Sequence, residues 1–376
     1  MSEEKTPQVP TEEGRSQDPW GAGSPALTPR GTPQRPPVSA RRGDEIHAFP
    51  EMAVGEGDVR TADEEVRAVS GTSLWRDAWR RLLRNRLAVF GMVVMGLILV
   101  SVIVGPAIIR AATGFEYDTI PAESRLVQSF PPFSSPEGQF SGTHPMGTDS
   151  AGRDMLARVL QGGRISLMVG VISTFVSLLI GITWGATAGY LGGKADDVMM
   201  RIVDVLYAIP YMMIVIVLLA FFGGRGPLQQ IFLLFGALGA VSWLTMARIV
   251  RGQIISLKNQ EFVLAARATG VSTPKIIFRH LVPNALGPVI VYATLTIPSV
   301  MLQEAFLSFL GLGVQAPYAS WGSLAQEGIQ NIAVFPWQLI FPGVTMALTL
   351  FSLNFLGDGL RDALDPQMRK FKGSDE

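Results

Sequence analysis

The chain has 376 residues, 48% of them apolar and 16% charged, and its formal net charge is zero. It contains no cysteine, which excludes disulfides, iron–sulfur clusters and thiolate metal sites. The three histidines, His47, His144 and His280, are scattered along the chain and do not indicate a metal cluster.

The first 70 residues differ in composition from the remainder. They hold 13 acidic and 8 basic side chains, a net charge of −5, whereas residues 71–376 hold 18 acidic and 23 basic side chains, a net charge of +5. They also hold nine of the 25 prolines. Such a segment cannot bury enough apolar surface to offset the entropy lost on ordering, so we predict a disordered cytoplasmic tail over residues 1–70. A polyproline ligand at Pro33–Pro37 is an alternative role. No apolar stretch follows the start, so we expect no cleavable signal peptide.

Six later stretches are apolar and long enough to cross a bilayer, which takes about 20 helical residues. No strand-like alternation competes with helices, so the predicted fold is all-α: a polytopic membrane protein with six transmembrane helices. Pro288 and Pro298 interrupt the fifth stretch, although prolines are tolerated in spans. The predicted spans are Leu87–Ile109, Ile165–Leu191, Ile202–Phe222, Ile231–Ala247, Leu286–Met301 and Trp337–Leu356.

The lysines and arginines predict how these spans are oriented, because basic loops stay in the cytoplasm. The loop between the fourth and fifth spans carries six basic residues against one acidic residue, whereas residues 313–336 carry no Lys or Arg. Both termini are therefore predicted to be cytoplasmic. The first span is preceded by a cluster of arginines: Arg76, Arg80, Arg81, Arg84 and Arg86.

These boundaries divide the chain into five predicted regions. A basic amphipathic segment and the first span occupy residues 71–110. An extracytoplasmic loop follows over 111–164. The core with five spans covers 165–360, including a cytoplasmic loop at 250–285. Residues 361–376 form a second cytoplasmic tail.

The end of the extracytoplasmic loop is predicted to form a helix lying on the outer membrane surface. Asp149 or Ser150 can cap it, and Met155 and Val159 lie on one face. A role in receiving a binding protein and a simple lead-in to the second span are both open. Candidate contacts on the outer face are Asp149, Arg153, Asp154 and Glu304. For Glu304, a solvated position at the end of a span is the alternative.

The second and third spans contain two further patterns. Small residues recur every fourth position of the second span, which favours close packing against another helix: Ser173, Ser177, Gly181, Gly185 and Gly189. The third span combines a proline break with aromatic and flexible side chains. Its candidate pore-lining residues are Tyr207, Pro210, Tyr211, Met212 and Met213. A kink that only fills the core is the alternative.

A polar stretch, Glu261–Asn284, lies between the fourth and fifth spans. Glu261–Ala268 is predicted to form a short helix, Gly270 to supply the left-handed residue after it, and Thr273-Pro274 to start a second helix. Two helices bent around a glycine form a rigid projection suited to docking on another protein.

This stretch resembles the "EAA" loop of ABC importer permeases, which docks into a cleft on a separate ATP-hydrolysing subunit. Ala265, Ala266 and Gly270 are the residues expected to dock. The glutamate of the motif falls at Leu264, and Glu261 lies one helical turn earlier. The matching positions are Ala265, Ala266, Gly270, Ile276, His280, Pro283 and Asn284.

Five other strings are similar to the C-type permeases for oligopeptides and dipeptides and extend the likeness from Ser73 to Pro366. They are S-L-W-R-D-A-W-R-R-L-L-R-N-R, G-T-D-S-A-G-R-D, L-Q-E-A-F-L-S-F-L-G-L-G, P-Y-A-S-W-G-S-L and N-F-L-G-D-G-L-R-D-A-L-D-P. The resemblance implies the architecture of a type I ABC importer permease in a prokaryotic inner membrane, surrounded by lipid. It also implies four kinds of partner: a second permease chain, two cytoplasmic ATP-binding subunits, an extracytoplasmic peptide-binding protein and a peptide substrate.

We find no phosphate-binding loop and no catalytic motif, so the chain is expected not to be an enzyme. No cofactor is expected on it, since the resemblance implies that partner subunits use ATP and Mg²⁺, and no nucleic-acid partner is expected. One alternative is a self-sufficient secondary transporter or channel, although acids within the spans and inverted repeats are not evident. A permease for nickel or glutathione and a membrane scaffold that recruits partners through its tail are the others.

Overall fold

The computed structural model describes residues 74–120, 129–134, 139–223 and 226–364. The predicted disordered tail, its proline motif at Pro33–Pro37 and residues 365–376 lie outside the described residues. Within the described ranges the regular structure is helical apart from two isolated bridges. The helices are α1 (Leu74–Arg84), α2 (Arg86–Thr113), α3 (Met155–Leu191), α4 (Gly193–Ala208), α5 (Tyr211–Phe222), α6 (Pro227–Leu257), α7 (Glu261–Ala268), α8 (Thr273–Phe309), α9 (Trp321–Ile329) and α10 (Trp337–Leu364).

The structure confirms an all-α polytopic membrane protein. In the described part of the chain, α2, α3, α6, α8 and α10 are long and apolar enough to cross a membrane, and the pair α4–α5 makes six if it counts as one span. The fifth predicted span continues through Pro288 and Pro298 as part of α8. A helix can do so inside a bundle because neighbouring groups satisfy the carbonyls that a proline leaves free.

The third predicted span is not a straight helix. α4 and α5 meet at an angle of 80° across a break at Ile209 and Pro210. Pro210 has no N–H to donate and its ring disfavours a helical conformation at the preceding residue. Ile209 is accordingly extended, with φ −81° and ψ 131°. The break opens a cavity between α4, α5, α6 and α8.

The stripe of small residues on α3 is its packing face against α6. All five members are buried, and the Ser173 hydroxyl donates to the Phe235 carbonyl at 3.0 Å. A Cβ added at Gly185 would collide with the carbonyl oxygen of Ala247. At Gly189 it would lie 2.9 Å from the carbonyl oxygen of Arg251. The two helices therefore contact each other through their backbones, as small residues in membrane helices permit.

The predicted interfacial helix is not a separate element. α3 runs without a break from Met155 to Leu191, and Met155 and Val159 are buried in the bundle instead of facing a membrane surface. Asp154 occupies the N-cap position predicted for Asp149 or Ser150. The start of α3 is therefore part of the core.

The first membrane helix is anchored at its N-terminus. The Asn85 side chain accepts hydrogen bonds from the N–H groups of Leu87 at 3.1 Å and Ala88 at 3.3 Å, which caps α2. α1 packs through Ala78 and Leu82 against Ala88 and the end of α10. Most of the apolar segment of α2 remains exposed, with 22% of it buried, as expected for a helix facing lipid.

Candidate functional site

The polar stretch between α6 and α8 forms a helical hairpin, which we call the α7 hairpin (residues 261–281). Its turn is a Schellman motif: the N–H of Val271 donates to the Ala266 carbonyl at 3.1 Å, and that of Gly270 to the Arg267 carbonyl at 3.0 Å. Gly270 is left-handed, with φ +75°. The predicted helix Glu261–Ala268 and the predicted left-handed glycine are both confirmed.

One face of the hairpin is fixed to the rest of the bundle. Val263, Ala266 and Ile276 are buried in a cluster that includes Ala186 of α3 and Ile254 of α6. The Lys258 ammonium donates to the Gly189 carbonyl at 3.0 Å, where it caps the end of α3. Arg267 donates to the Tyr190 hydroxyl at 3.2 Å. The hairpin is therefore packed directly against the ends of α3 and α6.

The opposite face of α7 is open. Glu261, Leu264, Ala265 and Ala268 are exposed and follow one another at helical spacing, so they form a single stripe. Leu264 is 49% exposed although it is a large apolar residue. The two alanines permit close approach of another surface. We call these four residues the α7 stripe.

The predicted coupling residues are thus divided between two faces. Ala265 and Gly270 are exposed, whereas Ala266 and Ile276 are buried and face the bundle, not a partner. The last three matching positions lie in the first part of α8, at and just after the end of its π-helical turn. His280 is half-buried, and Pro283 and Asn284 are exposed. The second predicted short helix is the first part of the long helix α8.

A π-helical turn over Ile276–Leu281 joins the hairpin to the membrane part of α8. The N–H of Val282 donates to the carbonyl of Ile277, five residues earlier. Pro283 explains this geometry, because its ring would clash with the carbonyl four residues before it in a regular α-helix. The Asn284 amide donates to the His280 carbonyl at 2.6 Å and holds the turn together.

The break between α4 and α5 borders a cavity of about 600 Å³. Tyr207, Pro210 and Tyr211 of the predicted pore-lining set line it. Of the other two, Met212 packs into the core, and Met213 is 60% exposed but is not among the lining residues. The break in the third span is therefore not merely a kink that fills the core.

Two helices supply the remaining polar lining of the cavity, which sequence reasoning missed. α8 contributes Tyr292, Thr296, Ser299 and Gln303, and α6 contributes Ser242 and Thr245. The four residues on α8 are separated by four, three and four positions, so they form one stripe along an otherwise apolar helix. That spacing is the sequence signal from which these four lining residues could have been predicted.

A cluster of charges joins the start of α3 and the loop before it to α9 at the other end of the bundle. Arg158, only 2% exposed, donates to Asp149 at 2.5 Å and to Glu327 at 2.6 and 3.0 Å. Arg153 donates to the same Asp149 carboxylate at 2.7 Å. Beside this cluster, Gln338 of α10 donates to the Thr148 carbonyl at 3.1 Å. We call Asp149, Arg153, Arg158 and Glu327 the Arg158 cluster.

The prediction that Asp149, Asp154 and Glu304 make contacts on an outer face is wrong, since all three are buried. Asp149 belongs to the Arg158 cluster, and Asp154 lies 3.6 Å from the buried imidazole of His144. Arg153, the fourth candidate, is half-buried. Asp149, Arg153 and Asp154 hold the loop before α3 in place.

Glu304 lies inside the bundle, not at a solvated helix end. Its carboxylate accepts hydrogen bonds from Ser308 at 2.6 Å and Ser166 at 3.3 Å. The Ser166 hydroxyl also accepts from the N–H of Trp321 at 3.1 Å. Glu304 therefore links α8, α3 and the start of α9. In the described part of the chain, no group of three or more His, Asp or Glu residues is arranged to hold a metal ion.

Membrane-length helices, a polar cavity at a broken helix and a rigid hairpin with one open face together define a transport permease. The chain belongs to the family of binding-protein-dependent transport system inner membrane components, whose model matches residues 181–370. Residues 73–126 match the N-terminal transmembrane domain of oligopeptide transport permease C. The chain is thus a multi-pass component of a membrane transport system.

Several characterised proteins are similar to this chain over most of their length. The oligopeptide transport system permease protein OppC of Escherichia coli K12 is 50% identical over 301 residues, 80% of this chain and 94% of that protein. The dipeptide transport system permease protein DppC of Bacillus subtilis is 43% identical over 300 residues, 79% of this chain and 87% of that protein. Among solved structures, the MetNI methionine ABC transporter matches with a TM-score of 0.45 and 20% identity, covering 56% of this chain and 98% of that one.

Proposed function

We propose that this chain is the C-type permease subunit of an ATP-driven importer that moves oligopeptides or dipeptides across the cytoplasmic membrane. The observation that carries the proposal is the α7 hairpin, which is fixed to α3 and α6 on one face and open on the other. The names of the relatives supply the substrate class. The chain itself performs no catalysis and binds no cofactor.

The complex contains three kinds of partner protein. A second permease chain completes the pore, two ATP-binding subunits bind on the cytoplasmic side with Mg-ATP, and a peptide-binding protein delivers substrate from outside. Both termini and the α7 hairpin face the cytoplasm, which agrees with the basic residues around the hairpin.

In this mechanism the ATP-binding subunits move the hairpin. Closure of the ATPase pair displaces the α7 hairpin, and its buried face transmits that displacement to α3 and α6. The bundle must therefore have two arrangements that the ATPases bind with different affinity, because a partner that binds both equally shifts nothing.

Gly270→Val tests the coupling role of the hairpin. A Cβ at this position would meet no atom of this chain within 4 Å, so within the chain the substitution acts through the backbone. A left-handed conformation costs a non-glycine residue about 1–2 kcal/mol, and a β-branched residue is among the least suited to it. We expect ATP-dependent peptide uptake to fall at least tenfold while the amount of permease in the membrane is unchanged.

The matched control is Gly252→Val on α6, where an added side chain also finds open space but the backbone is helical. Uptake and ATPase activity are measured together in vesicles that contain the whole complex. Equal uptake by the two variants would contradict the coupling role.

A second prediction concerns the departure from the EAA motif. Glu261 lies one turn before Leu264 on the same α7 stripe, so it can present the carboxylate that the motif glutamate would supply. We expect Glu261→Ala to lower coupled uptake on the order of tenfold, because losing one partner of an interfacial charge pair weakens binding. Leu264→Glu added to Glu261→Ala should restore most of it. Normal uptake by Glu261→Ala would show that the carboxylate is not used.

A further inference from the structure

The cavity beside the broken helix lies halfway along the bundle. Its α6 residues, Ser242 and Thr245, are 15 and 18 residues from Pro227, which puts them near the middle of the 31-residue helix α6. At a rise of about 1.5 Å per residue, this is more than 15 Å from either end. The cavity therefore lies within the membrane-crossing part of α6, in the half of the predicted span Ile231–Ala247 that is nearer the α7 hairpin.

Irregular backbone at this depth requires an explanation. In hydrocarbon every backbone polar group needs a partner, so a broken helix is tolerated only where it is buried in protein or borders an aqueous cavity. Here the backbone from Tyr207 to Tyr211 lines the cavity, and Tyr207, Ile209 and Tyr211 are 53%, 44% and 43% exposed. The last turn of α4 presents carbonyl groups that have no partner within that helix.

The chemistry of the lining is uncharged and can both donate and accept hydrogen bonds. Among the described residues that line the cavity there is no Asp, Glu, Lys, Arg or His. The hydroxyls of Ser242, Thr296 and Ser299 donate to carbonyls of their own helices, so they remain free to accept a hydrogen bond. The tyrosine hydroxyls and the Gln303 amide can both donate and accept. A main-chain peptide group needs one acceptor and one donor, and these groups supply both irrespective of the side chain next to it. The volume lies within the range of about 300–1,000 Å³ found for small-ligand sites.

We propose that this cavity is a peptide-binding site inside the permease, which holds the uncharged main chain of a peptide during translocation. The inference rests on the proposed function and adds the place and chemistry of binding to it. The α8 stripe of Tyr292, Thr296, Ser299 and Gln303 forms one wall. The ends of α4 and α5 at the break form another. None of the described lining side chains is charged, and Arg248, which lies against the Tyr207 ring, is paired with Asp204 at 2.8 Å. The site therefore accepts peptides with either acidic or basic side chains.

The test introduces a charge into the site and measures selectivity. Two peptides of equal length, one with a central Lys and one with a central Glu, compete for uptake by the complete reconstituted transporter. Ser299→Asp should raise the ratio of Lys-peptide to Glu-peptide uptake about tenfold, which corresponds to about 1.4 kcal/mol. Ser299→Lys should lower the ratio by a similar factor. The affinities of the separate binding protein for the two peptides serve as the reference.

Two further sets of variants keep the result interpretable. Gln303→Glu is nearly isosteric and half-buried, so it should shift the ratio in the direction of Ser299→Asp even if that variant folds poorly. Ser256→Asp and Ser256→Lys add the same charges at an exposed serine of α6 that does not line the cavity, and should leave the ratio unchanged.

The outcomes separate this inference from the function on which it rests. If the unmodified complex took up neither peptide with ATP, the proposed function would fail. A second outcome is that the unmodified complex takes up both peptides while Ser299→Asp, Ser299→Lys and Gln303→Glu all show the same ratio of Lys-peptide to Glu-peptide uptake as that complex. That result would overturn only the binding site. A shift of the same size from the Ser256 variants would also overturn it.

Discussion

Replacing Gly185 by Leu is expected to prevent α3 and α6 from packing together. The position lies where the two helices meet backbone to backbone, and even a Cβ would collide with the carbonyl of Ala247. Overpacking a core by a few atoms costs about 1–3 kcal/mol. A whole leucine side chain against fixed backbone should exceed that range, because no side chain can move aside. Leucine is a good helix former and strongly apolar, so the loss would come from packing and not from failed insertion.

The measurement is the yield of monodisperse protein in detergent together with its thermal unfolding temperature. Gly236→Leu on α6 is the matched control, since an added side chain there finds open space. We expect the control to retain near-normal yield and Gly185→Leu to give little folded protein. Similar behaviour of the two variants would mean that α3 and α6 do not depend on this contact.

The same contact shows what local sequence signals could predict. The spacing of Ser173, Gly181 and Gly185 predicted a close helix contact correctly, and the turn of the α7 hairpin followed from Gly270 alone. Both signals are local: a periodicity of four residues in the first case and a single residue that tolerates positive φ in the second. The positions of the apolar helices were also readable because hydrophobic length is a local property. Their boundaries were not, since α3, α6 and α8 extend beyond the predicted spans.

Other features depend on partners that are distant in sequence. Pro210 marked a break but not its angle of 80°, because a proline does not by itself fix the direction of the next helix. Ala266 matched a docking motif, yet it is buried because the ends of α3 and α6 cover that face of α7. Glu304 looked like the solvated end of a span because the length of α8 beyond it was not apparent. In each case the prediction considered one helix without the helices that pack against it.

The Arg158 cluster is the clearest example of a long-range arrangement. Its central hydrogen bonds join residues that are 169 positions apart, so no spacing pattern could reveal them. One signal was present: Glu327 is the only acidic residue in the loop of residues 313–336, which contains no Lys or Arg. An acid that lacks a basic neighbour in its own loop must be solvated or paired across the fold, and here it pairs with Arg158.

Arg158→Met is expected to destabilise the fold by about 3 kcal/mol, the lower end of the range observed when one partner of a buried ion pair is removed. The pair with Asp149 is buried, but Glu327 is 39% exposed, so solvent screens its share. Methionine preserves most of the side-chain volume, so the effect would come from charge and hydrogen bonding. The substitution leaves Arg153 as the remaining ionic partner of Asp149 in the cluster, although Asp149 is only 3% exposed. It also removes both hydrogen bonds that Arg158 donates to Glu327. Because the cluster joins α3 to α9, the loop before α3 should also become sensitive to protease.

Arg110→Met provides the matched comparison. Arg110 also pairs with a glutamate, Glu116, at 3.0 Å, but the two side chains are 72% and 40% exposed. An exposed pair contributes about 0–1 kcal/mol, because water and salt screen it. We therefore expect thermal unfolding of Arg110→Met to match the unmodified protein, and that of Arg158→Met to occur at a clearly lower temperature. If both variants unfolded alike, the cluster would contribute no more than a surface ion pair. The attachment of α9 to α3 would then have to come from the hydrogen bonds of Trp321 to Ser166 and Val159 and from the apolar contacts of Trp321 and Leu324.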